Sequence, residues 1–214
     1  MVLTHAHLDH SGRLPLLAAR GYRGQVHTTA ASADLAQVIL RDAAHLQQAD
    51  AERSTRRRLR AGRQGVRPLS TVADVERLTG RFRPLRYGEW REVAENVRVR
   101  LFDAGHILGS ASVEMRVGSP SGDRVVVFSG DVGLKGAPFL RDPEPPPPAD
   151  LVILESTYGD RDHRPREETV EAFRQILLQA VAERERVLVP SFAVGRTQEI
   201  LYHLEELGRQ GAIP

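Results

Sequence analysis

The stretch His5-Ala6-His7-Leu8-Asp9-His10 follows directly on Val2-Leu3-Thr4, whose character is that of a strand end. It sets three imidazoles and one carboxylate within six residues. Groups so close compete for the same protons and partners unless something organises them. A divalent metal does so, because neutral imidazole nitrogen binds zinc at about 2.0–2.1 Å and carboxylate oxygen at about 2.0–2.2 Å. A tight loop aims alternate residues one way and the next pair another, so one segment can serve two adjacent ions. A lone histidine reads as structural or surface, and His27, His45, His163 and His203 are read that way.

Two residues further along have surroundings that suit the same centre. His106 stands between Phe102-Asp103-Ala104-Gly105 and Ile107-Leu108-Gly109-Ser110, and the flanking glycines let the backbone pass close to a buried group. Asp131 follows the apolar run Val125-Val126-Val127-Phe128-Ser129 and Gly130. A carboxylate at the end of a buried strand lies where ligands collect, and its two oxygens can bridge two cations.

Composition bounds the rest. The chain has 214 residues, enough for one large domain or one domain and part of another. Hydrophobic content of 41% and charged content of 27% are those of a globular protein. Cysteine is absent, which excludes disulfides and thiolate sites and leaves His, Asp and Glu as strong ligands. That usage fits a reducing, cytoplasmic compartment. No apolar run approaches the ~18 residues of a membrane span, and no signal-peptide pattern opens the chain, so no membrane partner is expected. The formal charge is only +2, and nearly every base is arginine. Such a balance neither supports nor excludes a nucleic-acid substrate.

Periodicity predicts an α/β layered fold. Helices are expected at 11–20, from a cap at Ser32 through Leu46, at 72–78, 167–182 and 197–207. Strands are expected at 24–28, 97–101, 112–117, 124–128, 151–154 and 187–189. Leu151-Val152-Ile153-Leu154 reads as a strand covered on both faces, and Val187-Leu188-Val189 as a buried strand. Arg53 to Arg67 contains seven arginines and reads as a mobile or solvated connection, with backbone-tracking along RNA as its functional alternative. The prolines 145–148 form a stiff connection.

The His-rich segment resembles the second motif of the metallo-β-lactamase superfamily, and His106 and Asp131 fall where its third-motif His and fourth-motif Asp stand. The resemblance implies that His5, His7 and His106 hold one metal, Asp9 and His10 the other, and Asp131 bridges them. It implies two Zn2+ ions and a metallo-β-lactamase fold, an αββα sandwich that here lacks its N-terminal strands. Leu151-Val152-Ile153-Leu154-Glu155-Ser156-Thr157-Tyr158-Gly159 resembles the first motif of the β-CASP subgroup, which acts on nucleic acids. Val189-Pro190-Ser191-Phe192-Ala193-Val194-Gly195-Arg196-Thr197-Gln198-Glu199 resembles the opening of the β-CASP α/β domain. The division expected is a metallo-β-lactamase domain over 1–160 and the start of a β-CASP domain over 161–214. The chain is most similar to bacterial and archaeal relatives of the pre-mRNA 3′-end-processing endonuclease. Leu8 sets it apart from ribonuclease J, which usually has Glu there.

The activity so implied is zinc-dependent hydrolysis of RNA phosphodiesters, endonucleolytic with room for exonuclease action, through attack by metal-bound hydroxide. Asp9 would ligate and orient the nucleophile, and Glu155 would orient a histidine. Ser191, Gly195 and Arg196 lie at a strand-to-helix junction whose free N–H groups suit a phosphate; for Arg196 a structural ion pair is the equal alternative. RNA is the expected partner, single-stranded DNA a second, and a homodimer is compatible. The family pattern also places strands and an early Asp before the His-rich motif and further histidines after Pro214. On that pattern the sequence is expected to be part of a longer enzyme, and alone to bind the second metal weakly and cleave slowly. Two other functions fit less of the sequence: hydrolysis of a thioester or small ester on the same fold, and a non-catalytic RNA-binding subunit.

Overall fold

The structure is a computed structural model that describes residues 1–213. The chain divides into two compact units, Met1–Glu155 and Ser156–Pro214. In the first unit the order is α1 (Leu8–Ser11), α2 (Leu14–Ala19), β1 (Val26–Thr29), α3 (Ala30–Arg60), α4 (Val72–Thr79), β2 (Phe82–Leu85), β3 (Arg91–Ala94), β4 (Val97–Asp103), β5 (Ala111–Val117), β6 (Arg124–Phe128) and β7 (Leu151–Ile153). β1 and β2 form a parallel pair. The other five strands make one sheet in the order β3-β4-β5-β6-β7, antiparallel except for the final parallel pair β6-β7. This mixed α/β architecture agrees with the expected fold class.

Alternation along β4 explains which face is core. Val99, Leu101 and Asp103 are buried while Arg98, Arg100 and Phe102 are more open, as a period of two requires. Val99 and Leu101 pack with Leu85, Ala111 and Val113, and Val2, Tyr87, Val93, Met115 and Phe128 close the cluster. On the other face the fully buried carboxylate of Glu114 accepts from Arg100 at 2.6 and 3.0 Å and from Arg116 at 2.9 Å. Those donors satisfy a charge that could not otherwise leave water.

Residues 1–4 stitch the two sheets together. The Leu3 N–H donates to the His27 carbonyl at 2.9 Å, and the Ala111 N–H donates to the Thr4 carbonyl at 2.9 Å. The His-rich segment is thereby delivered to the end of the sheet where β4 and β6 finish and β5 begins.

Several expectations are corrected. The long helix is capped by Thr29, whose hydroxyl accepts from the Ser32 N–H at 3.1 Å, and not by Ser32. It continues through the arginine-rich stretch to Arg60, because arginine is a good helix former and Arg57, Arg58 and Arg60 meet the negative end of the helix dipole. The chain after it is tied back by Arg58 Nε to the Gln64 carbonyl at 2.7 Å and by the Val66 N–H to Thr55 Oγ1 at 2.9 Å. β7 is not covered on both faces: Leu151, Val152 and Ile153 are about half exposed, since only one edge is paired. Val187-Leu188-Val189 forms no strand and Leu188 is 90% exposed, for no neighbouring ladder takes up its backbone.

In the second unit, α5 (Arg166–Glu183) and α6 (Arg196–Arg209) lie close to the predicted helices. No helix among the described residues is long and apolar enough to cross a membrane.

Candidate metal centre

Each candidate side chain is presented by a short, independently braced turn. The turn after His7 enters α1, where the buried Ser11 hydroxyl donates to the Ala6 carbonyl at 2.9 Å and the His7 carbonyl at 3.0 Å. His106 sits in the connection between β4 and β5. Its N–H donates to Ser110 Oγ at 3.0 Å, and the Gly105 N–H donates to Asp103 Oδ1 at 3.0 Å. Gly109 is required there: its φ is +81°, and a Cβ would lie 2.6 Å from the Ser32 nitrogen. Its carbonyl accepts from Thr29 Oγ1 at 2.6 Å and Ser32 Oγ at 2.7 Å, fastening the start of α3 to the His106 turn. Asp131 lies three residues beyond β6, and the following Val132 N–H donates to Glu155 Oε1 at 2.7 Å. Glu155 is itself anchored by its N–H donating to Ser129 Oγ at 3.0 Å.

These braces bring His5, His7, His106 and Asp131 together with one ligand atom from each within 4.8 Å of the others. The three imidazoles form a nearly equilateral triangle, with centroids 5.0, 5.1 and 4.9 Å apart and ring planes 80, 85 and 78° to one another. Asp131 Oδ2 is 3.6 Å from His5 Nε2 and 3.5 Å from His106 Nε2, while its Oδ1 is 3.3 Å from His10 Nε2. Asp9 Oδ2 stands 3.5 Å from His10 Nε2 on the open side, with its side chain 78% exposed. One oxygen of Asp131 thus faces the trio and the other faces His10 and Asp9.

The donors fit a metal. His106 Nε2 and His7 Nδ1 are 3.1 Å apart. A tetrahedral ion with bonds of about 2.0–2.1 Å separates neighbouring donors by about 3.3–3.4 Å, close to the spacings in this cluster. His5 supplies a second test. Its Nδ1 is paired with the Thr4 hydroxyl at 3.2 Å, and its Nε2 is buried without a hydrogen-bond partner, aimed at the cluster. A buried lone pair left unpaired is costly unless a cation takes it.

Burial, and after it the neighbouring His10, His106 and His7, lower the His5 pKa from 6.5 to about 3. Burial likewise lowers that of His106, with His7 the next cause. The His5 imidazole is therefore neutral at neutral pH, the form able to ligate a metal. Between 6.5 and about 3 the unfolded chain takes up a proton at His5 that the folded chain refuses. The stability of the metal-free protein is therefore expected to be full above pH 6.5 and to fall as pH drops toward 3. Urea midpoints of the chelated protein at pH 7 and pH 4.5 check this, and a His5→Gln variant should flatten the difference.

In the second unit, Ser191, Gly195 and Arg196 surround the start of α6 but hold internal partners. Ser191 Oγ is 3.0 Å from Thr197 Oγ1, and the Gly195 N–H donates to Gln198 Oε1 at 2.8 Å. Arg196 pairs with Glu199 at 2.7 Å within α6, but its side chain is largely exposed, so this is a surface pair and not the buried ion pair that was the alternative. Of the isolated histidines, His27 is buried on β1 with Nδ1 unpartnered, and burial lowers its pKa. Thr4, Ser11, Ser110 and Ser129 carry no ligand signature of their own. Their signal was adjacency: each is a small hydroxyl residue within two positions or one turn of a candidate ligand or Glu155's strand partner.

The sequence profile described as "Metallo-beta-lactamase superfamily" matches residues 1–191. The chain is 42% identical over 210 residues to the ribonuclease TTHA0252 of Thermus thermophilus, covering 98% of this chain and 43% of that protein. It is 33% identical over 217 residues to the transcription termination factor FttA of Pyrococcus abyssi, covering 100% of this chain and 31% of that protein. To FttA of Thermococcus kodakarensis it is 35% identical over 219 residues, again covering 100% and 31%. The chain spans less than half the length of these relatives.

Proposed function

This chain belongs to the metallo-β-lactamase superfamily, and from that premise we propose that it carries the metal centre of a zinc-dependent phosphodiester hydrolase of the β-CASP kind, acting on RNA. The observation that carries the reading is the divided Asp131 carboxylate, with Oδ2 toward His5 and His106 and Oδ1 toward His10. A two-ion hydrolase needs a bridging group of this kind, whereas a single structural ion does not. The likeness to a protein named ribonuclease favours RNA over a thioester or small ester.

His5, His7 and His106 would hold one zinc, His10 and Asp9 the other, and Asp131 both. Nitrogen and oxygen donors without thiolate suit zinc. When bound, such ions supply a nucleophile from water near neutral pH and offset the charge that develops on the phosphoryl group. The chain's own residues set the rest. Thr4 fixes the His5 ring so that Nε2 is the ligating nitrogen. Glu155, by accepting the Val132 N–H, holds the backbone beside Asp131 and so its two oxygens. Asp9, the most open carboxylate of the group, would both ligate and orient the attacking water. Ser191, Gly195 and Arg196 would grip phosphate by exchanging their present partners for it.

Metal content and cleavage of a labelled RNA by the zinc-loaded protein test the reading, with single-stranded DNA and a thioester in parallel. Slow RNA cleavage that chelation abolishes and zinc restores is expected of this chain, and Asp9→Ala should lower it at least about 100-fold. Thioester turnover with RNA left intact would overturn the substrate assignment. RNA binding without any metal-dependent cleavage would favour a non-catalytic subunit instead.

A further inference from the structure

The last two turns of α3 carry a feature that the metal centre does not use. Ala33, Ala36, Leu40, Ala44 and Ala51 form the buried stripe of this helix. At about 100° per residue, Arg53, Arg56 and Arg60 lie within about 30° of the line opposite that stripe, and Arg57 lies about 70° to one side of it. All four are exposed, and together with Ala61 they line an open concavity of about 390 Å3. Arg53 pairs with Asp50, and Arg56 reaches Glu52 only at 4.0 Å. Arg57 and Arg60 have no carboxylate within 4.0 Å among the described residues.

Four like charges at spacings of three and four residues repel one another along the helix. The helix dipole offsets part of this only in the last turn. A polyanion would relieve the remainder. Exposed Leu59 lies about 90° from the centre of this face, so the face itself presents no large apolar side chain to insert into a lipid surface, which disfavours a membrane as the partner.

The other end of α3 bears on the centre: Thr29 and Ser32 bind the carbonyl of Gly109 in the His106 turn. From Ser32 to Arg57 the helix rises about 35–40 Å at about 1.5 Å per residue. We propose that this arginine face is a second anchoring surface for the phosphate backbone of single-stranded RNA, held by α3 at a set distance from the metal centre. The proposal rests on the RNA reading above. It makes substrate length a determinant of affinity, since a short oligonucleotide cannot occupy both places.

The test compares the zinc-loaded protein with a fourfold variant, Arg53→Gln, Arg56→Gln, Arg57→Gln and Arg60→Gln; glutamine keeps helix propensity and removes charge. Binding of a fluorescent 30-nucleotide RNA is measured by anisotropy from low to moderate salt. The fourfold variant is expected to bind about tenfold or more weakly near 0.1 M salt, with a log–log salt slope flatter by about 2–3. The double variant Arg57→Gln/Arg60→Gln should show about half that change in slope. Hydrolysis of a small chromogenic phosphodiester, which touches only the metal centre, should be unchanged. Wild-type slopes in both variants would overturn the proposal while leaving the metal-centre function standing. Loss of binding to anionic vesicles in place of RNA would also overturn it. A wild-type protein that neither binds nor cleaves RNA would overturn both readings.

Discussion

Asp131→Asn is expected to lower metal affinity more than about 100-fold and to abolish RNA cleavage, while the metal-free protein stays folded. Losing groups that merely orient ligands costs about 10–100-fold in affinity, so losing a shared ligand should exceed that range. The amide keeps the shape of the carboxylate but turns one oxygen into an NH2 donor with no lone pair to offer. Whichever way the amide sits, one side of the centre loses its oxygen: the His5 and His106 side at 3.6 and 3.5 Å, or the His10 side at 3.3 Å. Zinc titration with a competing chelator, together with stoichiometry after dialysis, measures the effect. A variant that retains both ions at wild-type affinity would remove Asp131 from the centre.

Gly133→Ala should be the most damaging small substitution away from the ligands. A Cβ at this position would lie 1.7 Å from the Gly105 carbonyl oxygen and 2.7 Å from the His106 nitrogen. Both are backbone atoms and cannot swing aside. The Gly133 N–H also donates to the Ala104 carbonyl at 2.8 Å, so relieving the clash breaks a contact that holds the His106 turn. Overpacking of this severity costs about 3 kcal/mol or more. For a chain of this size that corresponds to a fall in Tm of about 6–12 °C. Zinc affinity should fall with it, because the displaced turn carries His106. Gly208→Ala is the control: nothing lies within 4 Å of its Cβ, and inside α6 the exchange should be neutral or mildly stabilising. Equal melting temperatures for the two variants would show that the His106 turn is not packed as described.

The residues that could be read in advance are those whose chemistry is local. Three histidines and a carboxylate in one short segment announce themselves by density, and Gly105 and Gly109 announce a tight turn around His106. β4 and β5 were legible because apolar and polar residues alternate along their sequences, and β6 because it is a short apolar run. What misled was apolar character taken as burial. Leu151-Val152-Ile153 and Val187-Leu188-Val189 are equally apolar, yet the first is an edge strand and the second no strand at all. Burial depends on a partner surface, and no local pattern encodes whether one is supplied. The arginine-rich stretch misled in the opposite sense, since its charge suggested a loose connection while its helix propensity carried α3 to Arg60.

The sequence by itself therefore determined the kind of chemistry: nitrogen and oxygen ligands, no thiolate, and the motifs of one superfamily. Tertiary structure alone decided the arrangement. Hydrogen bonds from Leu3 to His27 and from Ala111 to Thr4 bring a segment at residue 5 against a turn at residue 106. The Val132 N–H bond to Glu155 ties down the backbone beside Asp131, while one Asp131 oxygen lies toward His5 and His106 and the other toward His10. Those distances depend on pairings between segments far apart in the chain, as Thr4 is from Ala111, and such pairings leave no mark on the spacing of ligands within any one motif.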